Sequence, residues 1–596
     1  MVAVRIRCSI GGLLVAAALL TEIALPRADE TFNRGLVAVV NDAGQVYIGW
    51  RLLGGDPTDV AFNVYRRTAG GNPAKVNAAP ITASTNLVDT SAPKDKDNSW
   101  FVRAVVRGAE QQPSEIANLP ANSPPNRVRS FKLQGDYYLF NRVGICDLDG
   151  DGVFDYVIKQ PGDGHGLDPG TMRESPDTFK LEAYNGRTGA FMWRYDLGWN
   201  MNMGVWWTPF ITGDFDGDGK AEVALKMAPY AATRQDATIA DGGFVLEGPE
   251  YITVLNGMTG KEIARADWVE RGDPLRWGDN RGNRVNRNQI GVAKLDGKRL
   301  SILVARGTYT FMYVDAWNLV DGKLVKAWRW FGDDTDPPVR GQGAHGMHVY
   351  DFDGDGREEI ALGSVMVDDD GKTLWTNRLG HPDVFYVADI IPERPGLEIA
   401  YGYEDRQPVN GIQVADARTG RMIWGHPDPT VHIHDWGMFA DIDASNPGYE
   451  FYAAEQKREL GQFLYSARDG KLLSKDDLGS ITLNPVYWLD GAQKVYNIFS
   501  YRGDTTTLHK YKSAEPVDTL EGRIVAIADV VGDWREELIL TKNGELRIAT
   551  TTVPSTSRHV TLMQDALYRS DVAHASMGYF YPPNTSAPLF PESFKR

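Results

Sequence analysis

The chain has 596 residues, room for several domains or one large repeat architecture, and its 79 acidic against 63 basic side chains leave it at −16 near neutral pH. That balance excludes a general nucleic-acid or membrane-surface role, which needs a basic face. Only two cysteines are present, Cys8 and Cys146, so at most one disulfide can form, and none once a leader carrying Cys8 is removed.

Residues 1–28 have the layout of such a leader. Arg5 and Arg7 precede the apolar run IGGLLVAAALL, and small residues follow near Ala24 and Ala28. The alternative is a single membrane anchor, for which the apolar run is short. The expectation is an exported protein, secreted or periplasmic, with no membrane span in the mature chain. With no disulfide to brace it, bound ions are the expected stabiliser.

Residues 33–120 read as short alternating strands: QVYIGWRLL, AFNVYRR, TNLVDTS, SWFVRAVV and PSEIANLP. This pattern predicts a small fibronectin-type β-sandwich. ANSPPNRVRS then reads as a linker.

Residues 127–590 are dominated by a repeat. In DLDGDGVFDYV, Asp147, Asp149, Asp151 and Asp155 stand at positions one, three, five and nine, with glycines between. Alternating carboxylates closed by glycine turns suit calcium, which takes six to eight oxygen ligands. An EF-hand would place Glu at position twelve and continue as a helix; here position twelve is Ile158, and VFDYVIK alternates like a strand. The loop recurs with Asp214, Asp216, Asp218 and Glu222, and again with Asp351, Asp353, Asp355 and Glu359. A weaker copy keeps Asp529, Asp533 and Glu537. More eroded copies centre on Asp296, Asp389, Asp441 and Asp490. Each copy precedes a strand, and many lead on to a Gly-containing turn and a Trp- or Tyr-bearing strand, as in DARTGRMIWG. Eight copies of a unit too small to bury both its faces predict an eight-bladed β-propeller holding several calcium ions, with seven blades as the alternative.

Chemistry is expected in the long inserts, because loops on one face of a rigid scaffold usually carry the site. Trp199, Trp206, Trp207 and Trp436 are candidates to stack on sugar faces or to fill blade cores. Arg281, Arg284 and Arg287 are candidates to pair with uronate carboxylates, and His345 and His381 adjoin carboxylate-rich loops.

Taken together, RGLVAV, FDGDGKAEVALK, WGDNRGNRVNR, VMVDDDGK, GDWREEL and ATTTVPSTSRHVTLMQDALYR resemble the rhamnogalacturonan lyases of polysaccharide lyase family 11, from about Arg34 to Pro583. The resemblance implies a calcium-rich eight-bladed propeller that cleaves the rhamnose–galacturonate backbone of pectin by β-elimination, acting as a monomer on a uronate polysaccharide. Such chemistry needs a base for the C5 proton, a cation to neutralise the carboxylate and a proton donor for the leaving oxygen. By resemblance, Tyr579 in GYFYPP and Arg306 and Tyr309 in RGTYT are site residues, and His345 and His381 lie at a calcium-dependent centre. Three stretches depart from the family. Lys159-Gln160-Pro161-Gly162 replaces Lys-Trp-Asp-Pro, Arg523 is the nearest cation where an Asn-Gly-Thr-Lys stretch is expected, and Asp435-Trp436-Gly437 replaces Gly-Arg-Gly. His432, His434 and His574 are new titratable groups there. The expected catalytic set is Tyr579, Arg306 and His434, with Tyr309, Trp207, Arg284 and Trp436 on substrate. The competing readings are a lyase for a different uronate polymer and a non-catalytic calcium-dependent glycan-binding propeller.

Overall fold

A computed structural model describes residues 32–135, 139–162, 177–201, 207–238, 245–278, 282–499, 503–578 and 580–595. The leader and Tyr579 lie outside the described residues. Among those described, no helix is long and apolar enough to cross a membrane.

The described residues begin with two antiparallel sheets. Val37–Val40, Val46–Gly49 and Asn86–Asp89 form the first, and Ala61–Thr68 with Asn98–Val106 form the spine of the second. Alternate residues point to one face of a strand, and here that face is apolar in both sheets. Ile48, Trp50, Phe62, Val64, Trp100 and Val102 share one core. Trp50 meets Phe62 edge to face at 5.5 Å, and the Trp100 indole N–H finds Asp89 at 3.1 Å.

Among the described residues, eight four-stranded antiparallel sheets follow in chain order. Their leading strands are Arg142–Cys146, Phe210–Gly213, Asn288–Ala293, Gly343–Tyr350, Pro382–Ala388, Met438–Ala440, Leu483–Val486 and Arg523–Ala528. Each acidic copy in the sequence, eroded ones included, falls between the first and second strands of its sheet. The fourth strand of the eighth sheet comes from the front of the chain: Val128–Lys132 pairs with Glu545–Ala549.

The complete loops repeat one hydrogen-bond plan. The position-one carboxylate of Asp147, Asp214 or Asp351 accepts from the glycine N–H groups at positions four and six at 2.7–2.9 Å. The position-nine carboxylate opens the second strand and accepts from the amides after position one, as Asp155 does from Leu148 and Glu222 from Phe215, each at 3.0 Å. Three buried loop oxygens, Glu359 Oε1, Asp389 Oδ1 and Asp529 Oδ1, have no protein partner. An acceptor sequestered from water in this way is costly unless a cation satisfies it, so the donor chemistry of these loops fits an oxygen-seeking ion.

The eighth loop corrects one expectation. Asp533 does not face an ion position, because Arg535 donates to it at 3.0 and 2.8 Å and the Tyr47 hydroxyl at 2.8 Å. Its carboxylate fastens the N-terminal sheets to the eighth sheet. Position three of this loop is Val531 and supplies no ligand.

Neighbouring sheets are joined by a tryptophan of one and a glycine turn of the next. The indole N–H groups of Trp193, Trp375 and Trp424 donate to Gly257, Ala417 and Ala467 carbonyls at 2.6–3.0 Å. Their rings cover Gly260, Gly420 and Gly470, where a Cβ would lie 2.5–2.7 Å from ring atoms. These turns, TG at Gly260 and Gly420 and DG at Gly470, are glycine because the indole of the preceding sheet occupies the space.

The single α-helix among the described residues, α1 (Ala566–His574), is capped by Asp565, which accepts from the Tyr568 N–H at 3.0 Å. It packs against the leading strands of sheets one, two, three, four and eight. Asp571 meets His348 at 2.6 Å, and the His574 Nε2 accepts from the Val292 N–H at 3.2 Å. His574, one of the new titratable groups in the sequence, is thus buried and engaged in this packing; burial pushes it down to about 3.

Candidate functional site

Leading strands end at the acidic loops, so the opposite end of each sheet is where the long inserts gather. There His345, His381, Asp383 and Glu404 converge, with His432, His434, Asp435, Tyr309, Arg284 and Arg287 around them. His345 lies on the leading strand of sheet four, His381 and Asp383 at the start of that of sheet five, and Glu404 just past Glu398–Tyr403 in the same sheet. Two irregularities aim the key groups. Register shifts between Gly343 and His348 in sheet four, and again between Pro382 and Val384 in sheet five. Bulges of this kind re-aim side chains, and here they carry His345 and Asp383.

Asp383 is the hub. Its Oδ1 is 3.3 Å from His345 Nε2 and 3.1 Å from His381 Nε2; its Oδ2 is 3.0 Å from His434 Nδ1 and accepts from the Asp435 N–H at 3.2 Å. Glu404 Oε2 is 3.1 Å from His381 Nε2, and its Oε1 is 3.8 Å from His432 Nε2. One donor atom from each of His345, His381, Asp383 and Glu404 lies within 4.8 Å of the others, so this quartet can hold a metal ion. Three of its four members are buried and Glu404 is half-buried.

Electrostatics follow from that burial. It pushes His345 down to about 3, despite Asp383, leaving a neutral imidazole. Burial also disfavours charge on His381, but Tyr309, Asp383 and Glu404 outweigh it and hold the imidazolium well above the usual range. Asp383, whose burial favours the neutral acid, is held well below the carboxylate range by the three imidazoles around it. Burial lowers His434, and Asp383 more than reverses this, taking it up to about 8. In the ion-free protein His434, expected from sequence in the catalytic set, is therefore a cation at pH 7.

Above the quartet, the Tyr309 hydroxyl is 3.1 Å from His345 Nε2 and its ring centroid 4.6 Å from that of His381. Arg284 lies over the Tyr309 ring at 3.6 Å and Arg287 at 5.3 Å. This gives a half-buried tyrosine beside a neutral imidazole, with guanidinium charge across its face.

Other expected site residues lie elsewhere. Trp207 is fully buried in the core, with Arg287 4.8 Å over its ring. Trp436 is 5% exposed and packs on Phe499 at 5.2 Å. Neither presents a face for a sugar. Arg306 is also fully buried: its guanidinium donates to the Val269 and Val285 carbonyls at 3.1 and 2.5 Å and to Glu250. Glu250 also takes Lys226 at 2.6 Å and Arg271 at 2.8 Å. The sequence reading did not single out Asp383 and Glu404. HPD and YED carry no repeat or motif signal, and only their register in sheet five brings them to His381.

Fold and site define an all-β protein of repeated four-stranded sheets with one imidazole–carboxylate centre at a common end. The family profile for the rhamnogalacturonan lyase family 11 C-terminal domain matches residues 118–592, and that for the rhamnogalacturonan I lyase β-sheet domain matches residues 27–119. The chain is 36% identical over 601 residues to rhamnogalacturonan endolyase YesW of Bacillus subtilis (strain 168), covering 94% of this chain and 91% of that one. It is 33% identical over 614 residues to rhamnogalacturonan exolyase YesX of the same organism, covering 94% and 95%. The YesW crystal structure matches with a TM-score of 0.81, over 94% of this chain and 97% of that chain. That of a Bacillus licheniformis rhamnogalacturonan lyase matches with 0.79 at 34% identity, over 94% and 97%. The chain belongs to rhamnogalacturonan lyase family 11 and is a polysaccharide lyase.

Proposed function

We propose that this protein is an exported, calcium-dependent lyase that cleaves the rhamnogalacturonan I backbone of pectin by β-elimination at the His345–His381–Asp383–Glu404 centre. The observation that carries the assignment is the convergence of four metal donors beneath Tyr309 and Arg284. A uronate needs a base, a carboxylate neutraliser and a proton donor within one sugar's width. A cation bound by the quartet would supply positive charge to the uronate carboxylate, which lowers the cost of removing the C5 proton. Arg284 and Arg287 orient that carboxylate from the other side. Tyr309, hydrogen-bonded to neutral His345, moves the proton: the C5–H pair becomes the C4=C5 double bond, the C4–O bond breaks and the leaving oxygen is protonated. Tyr579, from the sequence resemblance, is a further proton donor in this scheme.

The scaffold reading belongs to the same proposal. The eight sheets are blades of a β-propeller plugged by α1 and closed by Val128–Lys132, residues 33–120 form a fibronectin-type sandwich, and the acidic loops hold calcium. In support, the leading strands of sheets one to five lie side by side in order, and that of sheet eight lies beside that of sheet one. Incubating the protein with rhamnogalacturonan I should raise ultraviolet absorbance through the unsaturated uronate product, and His381→Ala should abolish the rise. No absorbance change on this polymer, with turnover on a different uronate polysaccharide, would reassign the substrate; no turnover on any would favour a binding role.

A further inference from the structure

We infer that a second divalent-cation site adjoins the first, formed by His432 and His434 and sharing Asp383 and Glu404 with it. The two carboxylates are oriented as bridges. Asp383 turns Oδ1 to His345 and His381 but Oδ2 to His434. Glu404 likewise turns Oε2 to His381 and Oε1 to His432. Asp383, His432 and His434 form a donor group of their own, with one atom of each within 4.8 Å of the others.

The spacing suits an ion. Donors held about 2.1 Å from a tetrahedral metal lie about 3.4 Å from one another. Here His432 Nε2 to His434 Nδ1 is 3.0 Å, His434 Nδ1 to Asp383 Oδ2 is 3.0 Å, and His432 Nε2 to Glu404 Oε1 is 3.8 Å. Hydrogen bonding alone serves this arrangement poorly. A single proton on His434 Nδ1 cannot point along both the Asp383 and the His432 directions, whereas a cation satisfies these three donor atoms together.

The backbone holds the imidazoles in place without using their rings. Glu455 accepts from the Val431 and His432 N–H groups at 2.7 Å each, and the His434 N–H donates to Ala454 O at 3.1 Å. The His432 and His434 side chains are 28% and 29% exposed, so an ion there keeps coordination positions open to a ligand. Imidazoles beside carboxylates accept a borderline transition metal of the zinc type, which makes zinc a suitable probe. Two cations bridged by carboxylates sit about 3.5–4 Å apart and together clamp anionic oxygens. The role of the pair in polarising a uronate carboxylate rests on the functional reading above, but the site itself does not.

The test uses the full mature chain, stripped with chelator, reloaded with Zn²⁺ in calcium-containing buffer and crystallised. Anomalous difference maps at the zinc edge should show a peak within coordination distance of both His432 Nε2 and His434 Nδ1. In the His432→Asn/His434→Gln double variant that peak should vanish and bound zinc, by plasma mass spectrometry, should fall by one ion per chain. Absence of the peak in the wild-type chain, or unchanged zinc in a double variant with native thermal unfolding, overturns the inference. Lyase activity measured in parallel separates the two readings: a zinc peak in an enzyme inert on every uronate polymer sinks only the functional assignment.

Discussion

Arg306 separates a catalytic from a structural role, and the structure sets the size of the effect. Its guanidinium has no exposed surface and sits with Lys226 and Arg271 around one carboxylate, Glu250. Burial favours neutral Glu250, yet the three cations hold it well below the carboxylate range. Arg306→Met keeps most of the volume but removes the bonds to Glu250, Val269 O and Val285 O, leaving two buried carbonyls unsatisfied at about 1–3 kcal/mol each. The broken buried ion pair adds about 3–5 kcal/mol, for an expected loss of at least about 5 kcal/mol. Glu250→Gln should cost at least as much, because three buried cations then face a neutral amide. Urea denaturation at fixed calcium, followed by tryptophan fluorescence, reads the loss directly. Turnover measured where the variant remains folded should fall only modestly, since Arg306 closes the strand Ser301–Arg306 that leads to Tyr309. An Arg306→Met protein with the wild-type denaturation midpoint and no turnover would refute the reasoning and put the guanidinium on substrate.

In ion-free protein, burial first and neighbouring carboxylates second raise Asp155 to about 7 and Glu222 and Glu359 to about 8. The folded state then binds more protons than the unfolded one between about pH 4 and 8, so chelated protein should lose thermal stability across that window as pH rises. Calcium should flatten the slope; a chelated protein equally stable at pH 5 and 8 would count against these loops as ion sites. Gly420→Ala places a Cβ 2.5 Å from the Trp375 ring at φ +68°, and calorimetry should show a loss of about 1–3 kcal/mol. Tyr309→Phe removes only the hydroxyl 3.1 Å from His345. Turnover should drop roughly 100-fold with native melting, and full activity would move the proton transfer elsewhere.

The repeat was legible because ion-binding loops and indole-covered turns are local devices, with spacing written into consecutive residues. Even eroded copies such as those at Asp296 and Asp490 fall where the complete ones do, between the first two strands of a sheet. The centre was only half legible. His345, His381 and Tyr309 came with a family resemblance and Arg284 from its residue type, whereas Asp383 and Glu404 are aimed by bulged register in sheet five, which no short motif encodes. Depth is likewise set by tertiary packing. Trp207, Trp436 and Arg306 have residue types suited to a sugar or a uronate, but the fold buries all three.

The pairing of Val128–Lys132 with Glu545–Ala549 ties the start of the repeat region to its end. A ribosome makes seven entire sheets between the two halves of that ladder, so the early strand leaves the tunnel with no partner and waits as an open edge, the kind that recruits other chains. Passage through an export channel as an unfolded thread would postpone the hazard until both halves are available. A circular permutant opened between Lys132 and Arg142, with the C-terminal end joined by a linker to the N-terminal sheets, would place Val128–Lys132 after Glu545–Ala549 in the order of synthesis, so that this strand emerges with its partner already present. It should refold faster and aggregate less, with the same final architecture.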